Sequence, residues 1–112
     1  MPVTVSEIVE SQQLPNSAAA LCTAAAKTTI QVSKVVVSNP TGSPATYTLY
    51  VVPSGGSTGN STTITPPQSV AAGAAYNDPN VPGLVLNAGD ALWGVASAAT
   101  TLTIAASGVI FS

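Results

Sequence analysis

Six side chains carry all the formal charge of this 112-residue chain: Glu7, Glu10, Lys27, Lys34, Asp78 and Asp90. Acid–base catalysis needs a group that titrates near neutrality, usually a His or a carboxylate in a tuned pair. The chain has no His. Its carboxylates form two distant pairs, Glu7 with Glu10 and Asp78 with Asp90, and nothing marks either as a glycosidase pair. Cys22 is the single cysteine and follows the apolar run 18–21. With no His to activate it, a buried inert thiol is expected rather than a nucleophile. One Cys and no His cannot assemble a transition-metal site. Asp78, Asn77, Asn80 and nearby carbonyls could approach a calcium ion, but their spacing is not that of a calcium loop. Gly55-Gly56-Ser57 lacks the Gly-Lys-Ser/Thr ending of a phosphate loop, and Asn60-Ser61-Thr62 fits a glycosylation sequon that matters only in an exported eukaryotic protein. Asp90 follows Asn87-Ala88-Gly89, where the ordinary role of its carboxylate is to close a turn. These residues read as a protein that is not an enzyme and holds no cofactor and no metal.

What remains is a surface without charge. Charged residues make up 5% of the chain, against about 25% in an average soluble domain. Arg is absent as well as His, so phosphate recognition by a basic patch is excluded and no nucleic-acid partner is expected. The exterior must be built from Ser, Thr, Asn, Gln, Gly, Pro and Ala. Soluble monomers use charge to stay apart, so a nearly neutral exterior suits a chain that lives assembled. The 46% hydrophobic content is largely Ala and Val, no run approaches the ~18 apolar residues of a membrane helix, and no membrane partner is expected. The N-terminus shows neither a basic region nor an apolar core of a secretory signal. Synthesis in a reducing cytoplasm without export follows as an expectation.

The elements that must present this surface are strands. The chain length suits one domain. Ala18-Ala19-Ala20 and Ala24-Ala25-Ala26 are short and run into the β-rich Thr28-Thr29-Ile30-Gln31-Val32, so they read as strand or turn. Residues 3–9 alternate. In 30–37, Ile30 and Val32 share a face before Val35-Val36-Val37, so this strand is either buried on both faces or bulged near Ser33-Lys34. In 45–52, Tyr47, Leu49 and Val51 share one face. The loop 38–44 between these runs predicts a long hairpin. A flexible loop over 53–60, a short strand over 62–65 ended by Pro66-Pro67 and resumed over 69–72, a loop over 77–83, and strands over 84–86, 91–97, 100–105 and 109–111 complete the chain. Leu102 and Ile104 point one way, Thr101 and Thr103 the other. Seven or eight short strands predict an all-β fold, a single antiparallel β-sandwich with jelly-roll-like connections. Residues 1–13 read either as an arm that adds to a neighbour's sheet or as an ordinary first strand, and 14–112 as the sandwich domain.

Candidate partner contacts are Val3, Val5, Tyr50, Tyr76 and Trp93. Trp93 shares a strand face with Val95, which favours core or interface packing over a sugar platform. Tyr76 sits beside a loop and is the better candidate for contacting a ligand.

Several stretches carry a resemblance. They are Val35-Val36-Val37-Ser38-Asn39-Pro40-Thr41-Gly42-Ser43-Pro44-Ala45-Thr46-Tyr47-Thr48-Leu49-Tyr50-Val51, the Pro-Pro break, Leu84-Val85-Leu86-Asn87-Ala88-Gly89-Asp90-Ala91-Leu92, and the closing run 96–109. In this order, from about residue 14 to the C-terminus, the chain resembles the small β-structured virion proteins of tailed bacteriophages, which include capsid decoration (cement) proteins and tail or fibre components. The resemblance implies a structural clamp: a homotrimer on the capsid exterior that bridges subunits of the major capsid protein. The alternative is a tail or fibre component that binds a host receptor or glycan through the hydroxyl-rich loops 54–63 and 76–82.

Overall fold

The computed structural model describes residues 3–59, 61–98 and 101–111. Asn60 of the sequon and the start of the strand expected at Thr100 lie outside the described residues. Among the described residues, nine antiparallel strands form two sheets: β1 (Val3–Gln13), β2 (Ala19–Thr23), β3 (Thr29–Ser38), β4 (Ala45–Val52), β5 (Thr63–Val70), β6 (Ala75–Asn77), β7 (Val85–Leu86), β8 (Ala91–Ala96) and β9 (Thr103–Phe111). One sheet runs β1-β9-β3-β6, with β7 also on β3; the other runs β2-β8-β4-β5. We call them the β9 sheet and the β8 sheet. The pairings are nested: β1 with β9, β2 with β8, β3 with β6 and β7, β4 with β5. Rolling this long ribbon over itself brings β9 onto β3 and β8 onto β4. That is a jelly roll, the expected β-sandwich. Counted as two halves of one broken edge strand, β6 and β7 make the strand number eight.

The described part of 1–13 is the paired edge strand β1, joined to β9 from Val3↔Phe111 to Gln13↔Thr103. The core between the sheets is aliphatic. Val32, Val35, Val37, Leu49, Leu92, Leu102 and Ile104 are buried with Tyr47. β3 resolves its two apolar phases by a bulge: its register to β9 shifts between Val32 and Lys34. Ile30 and Val32 before the shift, and Val35 and Val37 after it, thus all face inward. The exposed surface is 5566 Å², close to the ~5,600 Å² expected for a compact monomer of this mass.

Three local expectations fail for tertiary reasons. First, β3 and β4 do not form a hairpin; they lie in different sheets. The loop between them is held as a crossover by buried Asn39. Its Nδ2 donates to the carbonyls of Ser43 (2.8 Å) and Val70 (3.0 Å), and its Oδ1 accepts from Thr41. Second, Pro66-Pro67 does not end a strand; β5 runs through it. β5 is a sheet edge, and its register to β4 is irregular between Gln68 and Thr65. Edges and bulges are where a missing N–H is tolerated. Third, β9 is one strand across Ser107-Gly108, not two. A Cβ on Gly108 would lie 2.5 Å from the Gln31 carbonyl oxygen of β3. Glycine here permits close strand approach rather than a turn.

Candidate functional site

Among the described residues, the side chains whose chemistry could matter gather in one buried polar cluster and on the two outward sheet faces, with Asp90 and Cys22 standing apart. In the cluster, Asp78 is buried at the start of the 78–84 loop that interrupts the edge between β6 and β7. Its Oδ2 accepts from the Tyr47 hydroxyl (2.7 Å) and the Thr65 hydroxyl (2.8 Å). Its Oδ1 accepts from the backbone N–H groups of Asn80 (2.9 Å) and Val81 (3.0 Å). A carboxylate offers about four lone-pair positions, and all four are used. The group closes the 78–81 turn and ties it to β4 and β5; it has no capacity left to ligate a cation. Burial, the Asp78 hydrogen bond and the Asp78 charge raise the Tyr47 phenol well above its ordinary value. Nothing in the local sequence marks Asp78, because its partners on β4 and β5 lie 31 and 13 residues away. Asp90 closes its turn by accepting from the Asn87 N–H (3.1 Å), and it also accepts from the Ser54 N–H (3.2 Å). The half-buried Cys22 thiol is raised chiefly by desolvation, which disfavours the reactive thiolate.

The outward face of the β9 sheet is different. Here Val3 pairs with Phe111 and Val5 with Val109, beside Thr29 and Gln31 of β3. Val5 is 81% exposed and Val3 57%. Next along the strands, Glu7 of β1 and Lys34 of β3 flank Ser107 of β9 from opposite sides. Past the bulge, Val36 pairs with Ala105. Val5, Glu7, Lys34, Val36, Ala105 and Ser107 line a shallow depression of about 370 Å³. Folding thus brings Val3 and Val5 together, and adds a charge row that linear reading did not single out. The missed signal was the pairing of Glu7 and Lys34 across a third strand.

Tyr50 and Trp93 meet on the outward face of the β8 sheet, directly paired across β4 and β8, with Ala20 of β2 on the far side of Trp93. A depression of about 510 Å³ beside them is lined by Thr48, Tyr50, Thr63, Pro66 and Pro67. Tyr76 joins neither face. It pairs with buried Val37, packs against the core, and its ring lies 6.4 Å from that of Tyr47. Its place beside a loop suggested a ligand contact; the strand phase of β6 turns it inward instead.

Among the described residues, no three His, Cys, Asp or Glu side chains gather as a metal site. Among the described residues, no helix is long and apolar enough to cross a membrane.

No family model and no curated protein matches the chain. Among solved structures, a chain from the structure of infectious bursal disease virus, Gx strain, is similar over 97% of this chain and 31% of its own length, with a TM-score of 0.56 and 15% identity. A chain of the Gt strain aligns over 97% of this chain and 32% of its own, with a TM-score of 0.38 and 15% identity. This chain therefore spans about a third of the length of the chains it matches. The likeness to the Gx-strain chain is one of fold: the jelly roll recurs in a protein of a eukaryotic virus, not of a tailed bacteriophage.

Proposed function

We propose that the chain is a structural virion protein that decorates and stabilises a capsid, bridging subunits of the major capsid protein by surface contact rather than acting by chemistry. The observation that carries this reading is the outward face of the β9 sheet, where Val3, Val5 and Val85 stand exposed, on a chain with so little charge. An exposed apolar sheet face is a liability for a free monomer and a contact surface for an assembled one. Few charges also means few to desolvate when a contact closes. Asp78 is saturated and Asp90 closes a turn, so neither carboxylate of that pair is free for acid–base work. The viral fold likeness supports the virion setting. In its finer form, resting on the sequence resemblance, the capsid is that of a tailed bacteriophage. The protein is then made in the host cytoplasm and added to the capsid exterior as a homo-oligomer. Adding purified protein to undecorated capsids is expected to raise their melting temperature, with saturable binding. Absence of both binding and shift contradicts the reading.

The β8 sheet favours a second reading. Tyr50 beside Trp93, bordered by the Thr48 and Thr63 hydroxyls, is a combination that can stack and hydrogen-bond a sugar. It would serve a tail or fibre component that binds a host glycan. Glycan-array binding that is lost in Trp93→Ala supports this; a blank array removes it.

A further inference from the structure

We infer that the outward face of the β9 sheet packs against the same face of a second copy of this chain, about a two-fold axis running along β9. The charge row decides the partner and the symmetry. Glu7 and Lys34 sit on one row, one strand to either side of Ser107, about 10 Å apart at two strand spacings. A row that carries one acid and one base at equal distances from a central strand is complementary to itself. Rotation by 180° about an in-plane axis parallel to β9 exchanges the two flanks. Glu7 of each copy then meets Lys34 of the other, and Ser107 meets Ser107. An in-plane axis across the strands would set Glu7 on Glu7 and Lys34 on Lys34, which is repulsive.

Along the preferred axis β9 presents Ala105, Val109 and Phe111, half-buried and uncharged. Val5 and Val3 lie over Gln31 and Thr29 of the other copy, by the same rows. Such contacts are isologous, as in most homodimers, and the two sheets stack with strands nearly aligned. Three strands (β1, β9 and β3) by nine residues overlap under this rotation, about 15 Å by 30 Å, hence ~450 Å² per copy and ~900 Å² for the pair. That is the size of a weak, reversible interface.

The pair rests on the virion reading for self-association alone. The trimer implied by the sequence resemblance is a different arrangement, so the two are separable by mass.

The test is the mass of the full chain in solution by sedimentation and native mass spectrometry over a concentration series. The wild type is expected to form dimers. Glu7→Lys and Lys34→Glu are each expected to weaken the dimer at least about tenfold, since each sets two like-charge contacts across the axis. Mixing the two variants places opposite charges at both contacts, so one-to-one pairs should form where each variant alone stays monomeric. Both side chains are exposed, and circular dichroism checks that the variants fold. A monomeric or trimeric wild type, unchanged dimerisation in Glu7→Lys, or failure of the mixed variants to associate overturns the pair. Capsid binding is scored separately. A monomer that still stabilises capsids ends this inference and spares the virion reading; a two-fold dimer that ignores capsids does the reverse.

Discussion

Asp78 and the Glu7–Lys34 row are two places where this charge-poor chain sets ionisable side chains, and they are built in opposite ways. Asp78 is 3% exposed and surrounded by four donors from its own chain. Every lone pair is used inside, so this charge holds the fold together. Glu7 and Lys34 stand exposed on the outward face of the β9 sheet, where salt and water screen them and isolated pairs contribute little. An exposed charge beside apolar neighbours is available to a partner. The buried carboxylate serves stability, and the exposed row is what the proposed pairing would use.

Replacing Asp78 should hurt most. Asp78→Ala leaves the Tyr47 and Thr65 hydroxyls and two N–H groups without their acceptor, and is expected to cost about 3–5 kcal/mol, read by urea unfolding. A loss under ~1 kcal/mol would place the cluster among the dispensable contacts. Tyr47→Phe removes one hydrogen bond to a charged acceptor, worth about 1.5–3 kcal/mol. It also tests a pH dependence. The folded state holds the Tyr47 proton more tightly than the unfolded chain does. The resulting stability is therefore complete below the unfolded value near 10 and lost progressively above it, by up to ~1.4 kcal/mol per pH unit. The wild type should weaken between about pH 10 and 12, and Tyr47→Phe should flatten that decline; equal slopes contradict the assignment.

Gly108 sharpens the contrast, because it follows Ser107 of the outer row yet points into the fold. Gly108→Ala brings a Cβ to 2.5 Å from the Gln31 oxygen and 3.3 Å from Ile8 Cδ1, so a cost of about 1–3 kcal/mol is expected. Gly42, with nothing within 4 Å of its virtual Cβ, is the control and should tolerate Ala within ~0.5 kcal/mol. The smallest effect on folding belongs to Glu7→Gln and Lys34→Gln, each within ~0.5 kcal/mol by the same unfolding assay. A larger loss in either would mean that the row serves the fold after all.

How much of this was legible in the sequence follows the range of the interactions. Period-two alternation put Tyr47, Leu49 and Val51 on one face and Leu102 with Ile104 on another; the fold turns these faces inward, with Val51 half-buried. The doubled apolar phase of 30–37 allowed either two-sided burial or a bulge, and the bulge lies between Val32 and Lys34. Asp90 closes the turn its neighbours suggested. These are local signals. A connection such as 38–44 reads the same whether it closes a hairpin or crosses between sheets, because the choice rests on Asn39 reaching Val70. Proline at 66 and 67 and glycine at 108 read as breaks until edge position and strand proximity are known. The Asp78 cluster and the Glu7–Lys34 row share a cause of invisibility: each unites residues that the roll of the ribbon brings together from far apart in the chain.

The most direct measurement on the central claim, that this is a structural component of a virion, is its copy number in purified particles, by quantitative mass spectrometry against the major capsid protein. Decoration predicts a count comparable to that of the major capsid protein. A few copies per particle would move the chain to the tail or a fibre and favour the Tyr50–Trp93 face, and absence from particles would contradict the account.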